Sequence, residues 1–374
     1  VRLRDIIASR EFRKHPSPLG IALGKDVSGK PRVATLENMP HLLIAGATGS
    51  GKSIFINTLL VSLLYRNSPA LVRFIMVDPK RVELSLYNGI PHLLTPVITE
   101  PDKTINALKW AVREMDRRYR LLSESGARNL MSYNANNPDE ALPMIVIVID
   151  ELADLMATHA RDVEGIIVRL AQMARAIGIH LVLATQRPSV NVITGLIKAN
   201  VPARVAFNVA SQVDSRTILD SAGAEKLLGS GDMLYLPGDQ AKPFRIQGGY
   251  ISEEEVRSVV KDIVEENDID PEYEDEIVSP NRESVAASGE EANDPMFQEA
   301  RDLVMQSGKA SASLLQRRLR VGYSRAARIL DMLEDQGVIG PQEGNKPREI
   351  LVSDEGQYDS QEDDQGGYGE EEEY

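Results

Sequence analysis

Two patterns of apolar and polar positions alternate along the first two thirds of the chain. Short runs rich in Ile and Val, apolar at nearly every position, are separated by longer stretches in which apolar residues recur every three or four positions. The first pattern suits strands buried on both faces and the second suits amphipathic helices, so their alternation predicts an α/β unit around a buried parallel sheet. Strands are expected at about 41–45, 72–77, 144–149, 180–184 and 204–208, and helices at about 52–65, 102–123 and 162–176. Shorter strands follow at about 232–236 and 243–247, where Gly and Pro mark turns. Residues 1–38 are mixed, with a turn at Ser28-Gly29-Lys30.

The pattern changes after residue 252. A charged helix decays into an acidic linker over 253–294, and a compact helical stretch follows. Its helices are expected near 295–307, 312–319 and 323–336, with Gly337 as a C-cap. A β-like wing ends it: Val338-Ile339-Gly340, a turn through Gly344-Asn345, then 348–352. This is helix-turn-helix grammar with a winged ending. In the third helix Ala326, Ile329, Leu330 and Leu333 form an apolar stripe, leaving Ser324, Arg325, Arg328 and Asp331 on or near the opposite face. Residues 354–374 have no apolar period and are expected to be disordered. The domain reading is therefore 1–38, 39–252, 253–294, 295–353 and 354–374.

Charge sharpens this division. The 374 residues carry a formal charge of −14, which averaged over the chain would argue against a nucleic-acid partner. The tail 354–374 holds 10 acidic and no basic residues, and 253–294 holds 16 acidic against 3 basic. Residues 1–252 have 30 basic against 23 acidic, and 295–353 have 9 against 7. Both apparent globular parts are basic, and a phosphate within a Debye length of ~10 Å responds to that local sign. The absence of cysteine excludes disulfides and thiolate metal sites and fits a reducing cytoplasm. No apolar run approaches the ~20 residues that span a bilayer. The five histidines, His15, His41, His92, His159 and His180, show no paired ligand spacing, so no protein-held metal is expected beyond Mg²⁺ on a nucleotide.

Gly46-Ala47-Thr48-Gly49-Ser50-Gly51-Lys52-Ser53 fits the phosphate-loop pattern in full, between an apolar strand and a helix start. Glycines let the backbone wrap around phosphates, and the N–H groups at the helix start point toward them. Lys52 is expected to reach the β- and γ-phosphates of ATP, and Ser53 to ligate Mg²⁺. The run 144–149 ends in Asp150-Glu151, at the edge where parallel strands deliver ligands. Asp150 suits the Mg²⁺ shell and Glu151 the general base for the attacking water. The other reading of this pair is a helix cap and a first-turn acid. The run 180–184 ends in Thr185-Gln186-Arg187-Pro188, where Gln186 would sit beside Asp150 and sense the γ-phosphate or position water, or serve only as a turn residue.

These residues resemble the FtsK/SpoIIIE DNA translocases. The resemblance runs in order through Met39 to Ser53, Val77-Asp78-Pro79-Lys80-Arg81-Val82-Glu83-Leu84, Arg117-Arg118-Tyr119, Ile149 to Leu155 and Ala184 to Pro188. It implies a RecA-like P-loop ATPase motor assembled as a homohexameric ring around double-stranded DNA. Each ATP site would be completed by an arginine from the neighbouring subunit, with Arg204 and Arg216 as candidates. It also implies a membrane region and a linker ahead of the motor, not represented in this sequence, and makes 1–38 the end of a preceding motor subdomain. This chain would then be the cytoplasmic portion of an inner-membrane protein at the division septum, acting in chromosome segregation. Pore loops are expected in 154–162 and 187–198.

The C-terminal module resembles the family's γ domain, which reads short polar DNA sequences and contacts the Xer recombinase. Arg317, Arg318, Arg320, Ser324, Arg325 and Arg328 are its candidate DNA contacts; the bland reading is a solvated basic face. Ser324 stands where the family has Asn and Asp331 where it has Glu, which leaves the target sequence open. Rival functions are a conjugation or packaging motor and an ATP-gated DNA-binding regulator, because one phosphate loop serves pumping and switching alike.

Overall fold

The structure, a computed structural model, describes residues 1–267, 271, 273–279, 296–307, 310–319, 326, 329–330, 333–334, 338–340, 348 and 350. They belong to two compact units, 1–280 and 281–374.

The first unit is built on one nine-stranded sheet. Its strands are β1 (Gly20–Asp26), β2 (Pro31–Thr35), β3 (His41–Ala45), β4 (Val72–Val77), β5 (Met144–Ile149), β6 (Ile179–Thr185), β7 (Ala203–Phe207), β8 (Asp232–Leu236) and β9 (Phe244–Gly248). In space they run β2-β1-β9-β8-β7-β3-β6-β5-β4. The five from β7 to β4 are parallel, and β8, β9, β1 and β2 continue the sheet antiparallel. Residues 1–38, read from the sequence as the end of a preceding subdomain, thus supply two strands of this same sheet.

Both faces of the parallel part are covered, which is why its strands read as continuous apolar runs. Leu43, Ile75, Ile147 and Leu183 pack under α4 (Pro101–Glu124) and α6 (Leu152–Met173). The alternate residues Ile44, Phe74, Val148 and Val182 face α3 (Lys52–Leu64), backed by α1 (Leu3–Ile7) and α9 (Glu253–Asn267). Ten of the 13 residues of α3 are buried, so it lacks a polar stripe. By contrast α4 is amphipathic: Pro101 presets its first turn, and it ends before Gly126 at φ 68°. On its inner face Arg118 is buried, pairing with Glu114 and donating to the carbonyls of Pro143 (2.8 Å) and Ile177 (3.0 Å). Tyr119 adds a bond to the Met173 carbonyl, so the Arg-Arg-Tyr run ties α4 to the segments that enter β5 and β6.

Helix α6 differs from expectation. It starts at Leu152, ten residues before the expected 162, and His159 interrupts it with φ −133°. The polar Thr158-His159 step and the break mask the periodicity of its first two turns. The segment 154–162 is therefore helix, not a loop, while 187–198 runs as loop into α7 (Gly195–Asn200). Short α5 (Leu130–Asn136) and α8 (Gln212–Leu219) carry capping boxes at Asn129/Ser132 and Ser211/Asp214 in place of a long period. The remaining helix of this unit is α2 (Arg10–Arg13).

The second unit contains α10 (Phe297–Ser307) and α11 (Ala312–Leu319), the latter capped by Ser311. The expected stripe Ala326, Ile329, Leu330 and Leu333 is buried with Phe297, Val304 and Leu315. Antiparallel bridges Ala310–Arg348 and Ile339–Ile350 lie where the wing is expected.

Candidate functional site

The chain leaves β3 at Ala45, turns through Gly46 to Gly51 and enters α3 at Lys52. Gly49 and Gly51 have φ of 76° and 117°, and a Cβ on Gly51 would come within 2.7 Å of the Gly231 backbone. That approach lets the Gly231 N–H donate to the Ser50 carbonyl at 2.9 Å, and the Ala47 N–H donates to Asn208. The loop so held borders a cleft of about 380 Å³ lined by Thr48, Gly49, Lys52, Ser53, Glu83 and Gln186. The first N–H groups of α3 have no intrahelical partner and carry the positive end of its dipole, an arrangement suited to an anion.

Three strand ends meet this loop. Beyond β5, Asp150 is fully buried and ion-pairs with Lys52, whose Nζ also donates to the Asp150 carbonyl at 2.9 Å. Asp150 Oδ2 is buried without a partner. Beside it Glu151 accepts from the Thr185 hydroxyl (2.6 Å), Lys80 (3.1 Å) and the Gln186 N–H (3.2 Å). Burial alone would raise the Glu151 carboxyl, but these donors outweigh it together and hold the group below the ordinary carboxylate range. Glu151 occupies the N-cap position of α6, yet its side chain makes no cap bond, so capping does not explain it. The in-register pairing of β5 with β6 delivers Thr185 and Gln186 here, and Gln186 accepts from the Thr48 hydroxyl at 2.9 Å.

The fourth contributor is the loop after β4, whose side-chain roles the sequence did not disclose. Asp78 is fully buried, and its Oδ2 accepts the N–H groups of Glu83 and Leu84, each at 2.9 Å. Arg81 takes a left-handed φ of 58° to close the turn. The fold of this loop sends Lys80 to Glu151 and Glu83 to Ser53, whose hydroxyl donates to Glu83 Oε1 at 2.7 Å. The family resemblance of Val77 to Leu84 marked the loop, but apart from it the residues offered just a short acid closing an apolar strand before a proline.

The two candidate arginines differ. Arg204 is buried on β7 and donates to Asp220 Oδ2 and to the carbonyls of Ile218 (3.2 Å) and Lys198 (3.0 Å). Arg216 is exposed on α8 and, among the described residues, forms no ion pair. Of the candidate DNA contacts, Arg317 and Arg318 lie on α11 with Arg318 exposed, whereas Arg320, Ser324, Arg325 and Arg328 lie outside the described residues. Among the described residues no cluster of His, Asp and Glu forms a metal site of its own, and no helix is long and apolar enough to cross a membrane.

The chain is similar to known proteins along nearly its whole length. The FtsK/SpoIIIE family profile matches residues 2–190, and the profile of the Ftsk gamma domain matches 291–353. A DNA translocase FtsK of Clostridium tetani is 56% identical over 94% of this chain and 48% of its own length. The DNA translocase SpoIIIE of Bacillus subtilis is 51% identical over 95% of this chain and 46% of its own. The chain thus spans about half the length of the curated relatives it matches. Among solved structures, the pCW3 conjugation coupling protein TcpA with ATPγS superimposes with a TM-score of 0.61 at 31% identity, covering 69% of this chain and 73% of that one.

Proposed function

The chain belongs to the FtsK/SpoIIIE family, and on that premise we propose that it is the motor portion of an ATP-driven double-stranded DNA translocase acting in chromosome segregation at cell division. The observation that carries the reading is the buried Glu151 carboxylate, held ionised among Thr185, Lys80 and Gln186, the last of which lines the cleft with the phosphate loop. Residues 46–53 would cradle the phosphates of ATP. Lys52 would exchange Asp150 for phosphate oxygens, which frees the Asp150 carboxylate. Mg²⁺, when bound, would neutralise phosphate charge; Asp150, whose Oδ2 has no partner, and Ser53, whose only hydroxyl proton is given to Glu83, fit its shell. The Glu151 carboxylate would take a proton from the attacking water, with Gln186 orienting it near the γ-phosphate.

In this reading the site is completed in a homohexamer by Arg216 of a neighbouring subunit. The C-terminal unit would read DNA through Arg317, Arg318, Arg320, Ser324, Arg325 and Arg328 and contact an Xer-type recombinase. The whole protein would be anchored in the inner membrane at the septum, with this chain on the cytoplasmic side. The test is displacement of a triplex-forming strand from linear duplex by the purified chain with ATP. ATP-dependent displacement is expected; hydrolysis without displacement would mark an ATP-gated regulator instead.

A further inference from the structure

One carboxylate in the cleft enters the mechanism above only as the acceptor of the Ser53 proton. Glu83 lines the cleft beside Ser53 and, among the described residues, forms no ion pair, although Lys52 and Lys80 are both nearby and engaged with Asp150 and Glu151. Its position is built. Its own N–H is held by Asp78, the next residue Leu84 is held by the same oxygen and buried in the core, and Arg81 adopts a left-handed turn to make this possible. With the N–H groups of Glu83 and Leu84 both held, the side chain of Glu83 reaches the Ser53 hydroxyl.

A serine hydroxyl has one proton and two lone pairs. Giving the proton to Glu83 leaves only lone pairs for the remainder of the cleft, the orientation a cation requires. The charge on Glu83, which has no ion-pair partner among the described residues, also lies one hydrogen bond from the hydroxyl that would ligate the cation. We propose that Glu83 is a positioning residue of the metal end of the nucleotide site, orienting Ser53 and strengthening its attraction for Mg²⁺. This rests on the reading of Ser53 as a ligand of the Mg²⁺ that accompanies ATP. Outer partners that orient a metal ligand and raise its basicity commonly matter as much as this to affinity.

The experiment follows fluorescence of a mant-labelled ATP on the purified chain while Mg²⁺ is titrated, with a parallel arm in EDTA. Glu83→Gln keeps an acceptor for the Ser53 hydroxyl and removes only the charge. It should raise the Mg²⁺ concentration at half-maximal signal on the order of tenfold, the lower end of the effect typical of such partners, while nucleotide binding in EDTA stays as in wild type. Ser53→Ala serves as the reference. A shift in Ser53→Ala with none in Glu83→Gln overturns the role of Glu83 and leaves the nucleotide site standing. No shift in either removes Ser53 from the metal end, and the proposal falls with it. Loss of nucleotide binding in EDTA by Glu83→Gln would show that Glu83 maintains the loop's shape, which also overturns the proposal.

Discussion

Arg204 and Arg216 stand on adjoining elements, and their surroundings assign them different work. The Arg204 guanidinium is spent inside its own chain, on the Ile218 and Lys198 carbonyls and on Asp220. An arginine offered to a neighbour's nucleotide must be exposed and unengaged; Arg216 is exposed and, among the described residues, forms no ion pair. Arg204→Ala should therefore cost stability, about 1–3 kcal/mol for hydrogen bonds of a charged group, seen as a lower thermal midpoint. Arg216→Ala should leave that midpoint and nucleotide binding unchanged while turnover falls by about 10³ or more. Mixing Arg216→Ala with Glu151→Gln subunits should restore part of the ATPase, because hybrid interfaces unite an intact arginine with an intact base. Normal turnover in Arg216→Ala would place the arginine elsewhere. Lys52, Asp150 and Glu151 were legible in the sequence because their spacing from apolar strands is itself the signal. Lys80, Glu83 and the Arg204–Asp220 pair were not. Which side chain of an irregular loop turns inward depends on a left-handed residue and a buried acid, and Asp220 meets Arg204 only after β7 and α8 fold together.

At the scale of elements, the edge of the sheet opposite the cleft carries a titration of its own. His41 opens β3 and His180 lies near the start of β6, with ring centroids 6.5 Å apart. His41 Nδ1 accepts the Leu181 N–H at 3.1 Å, which requires it unprotonated, and His180 Nδ1 lies 2.9 Å from the Pro40 carbonyl, so it donates. Burial lowers the two imidazoles to about 3 and about 4, and Arg175 repels a further positive charge on both. Their folded values lie below the ordinary 6.5. Above that pH they contribute nothing to pH dependence; below it the unfolded chain binds protons that the native one refuses, and stability falls. At pH 5 the loss should be on the order of 2 kcal/mol per imidazole. Glu114, held low by Arg117 and Arg118 against its own burial, loses its contribution only below about pH 4.3, a separate window. The drop in thermal midpoint between pH 7 and pH 5 should thus shrink in His180→Gln; an unchanged drop would move the effect to other groups. The five parallel strands and α4 were legible because both faces of one, and one face of the other, are set by a simple period. The first turns of α6 were not, since the break at His159 disrupts that period, and the short α5, α7 and α8 carry their information in caps.

At the scale of the whole molecule, charge and the proposed function divide in parallel. The 30 basic residues against 23 acidic in 1–252 give this part of the chain a surplus suited to phosphates of any sequence. On the proposed function the first unit is a pump that must travel over any sequence, so its own grip has to be indifferent to bases. Orientation then needs a separate reader, and the second unit has its form: α10, α11 and a buried stripe from the third predicted helix around one core. In the sequence, Ser324, Arg325 and Arg328 fall opposite that stripe at helical spacing. An arginine in the major groove most often pairs with guanine O6 and N7, a contact worth about 1–3 kcal/mol of discrimination. The expected target is therefore G-rich, read at a base by Arg328, while Arg317 or Arg318 holds phosphate. Arg328→Ala should erase preference among duplexes in a binding assay, with ATPase on plain duplex near wild type, because Lys52 and Glu151 lie in the other unit. Arg318→Ala should instead weaken binding to all duplexes alike and lower its salt dependence. Both quantities are to be measured on the same preparation. Surviving sequence preference with a fallen ATPase in Arg328→Ala would mean that this helix supports the motor and the reader lies elsewhere.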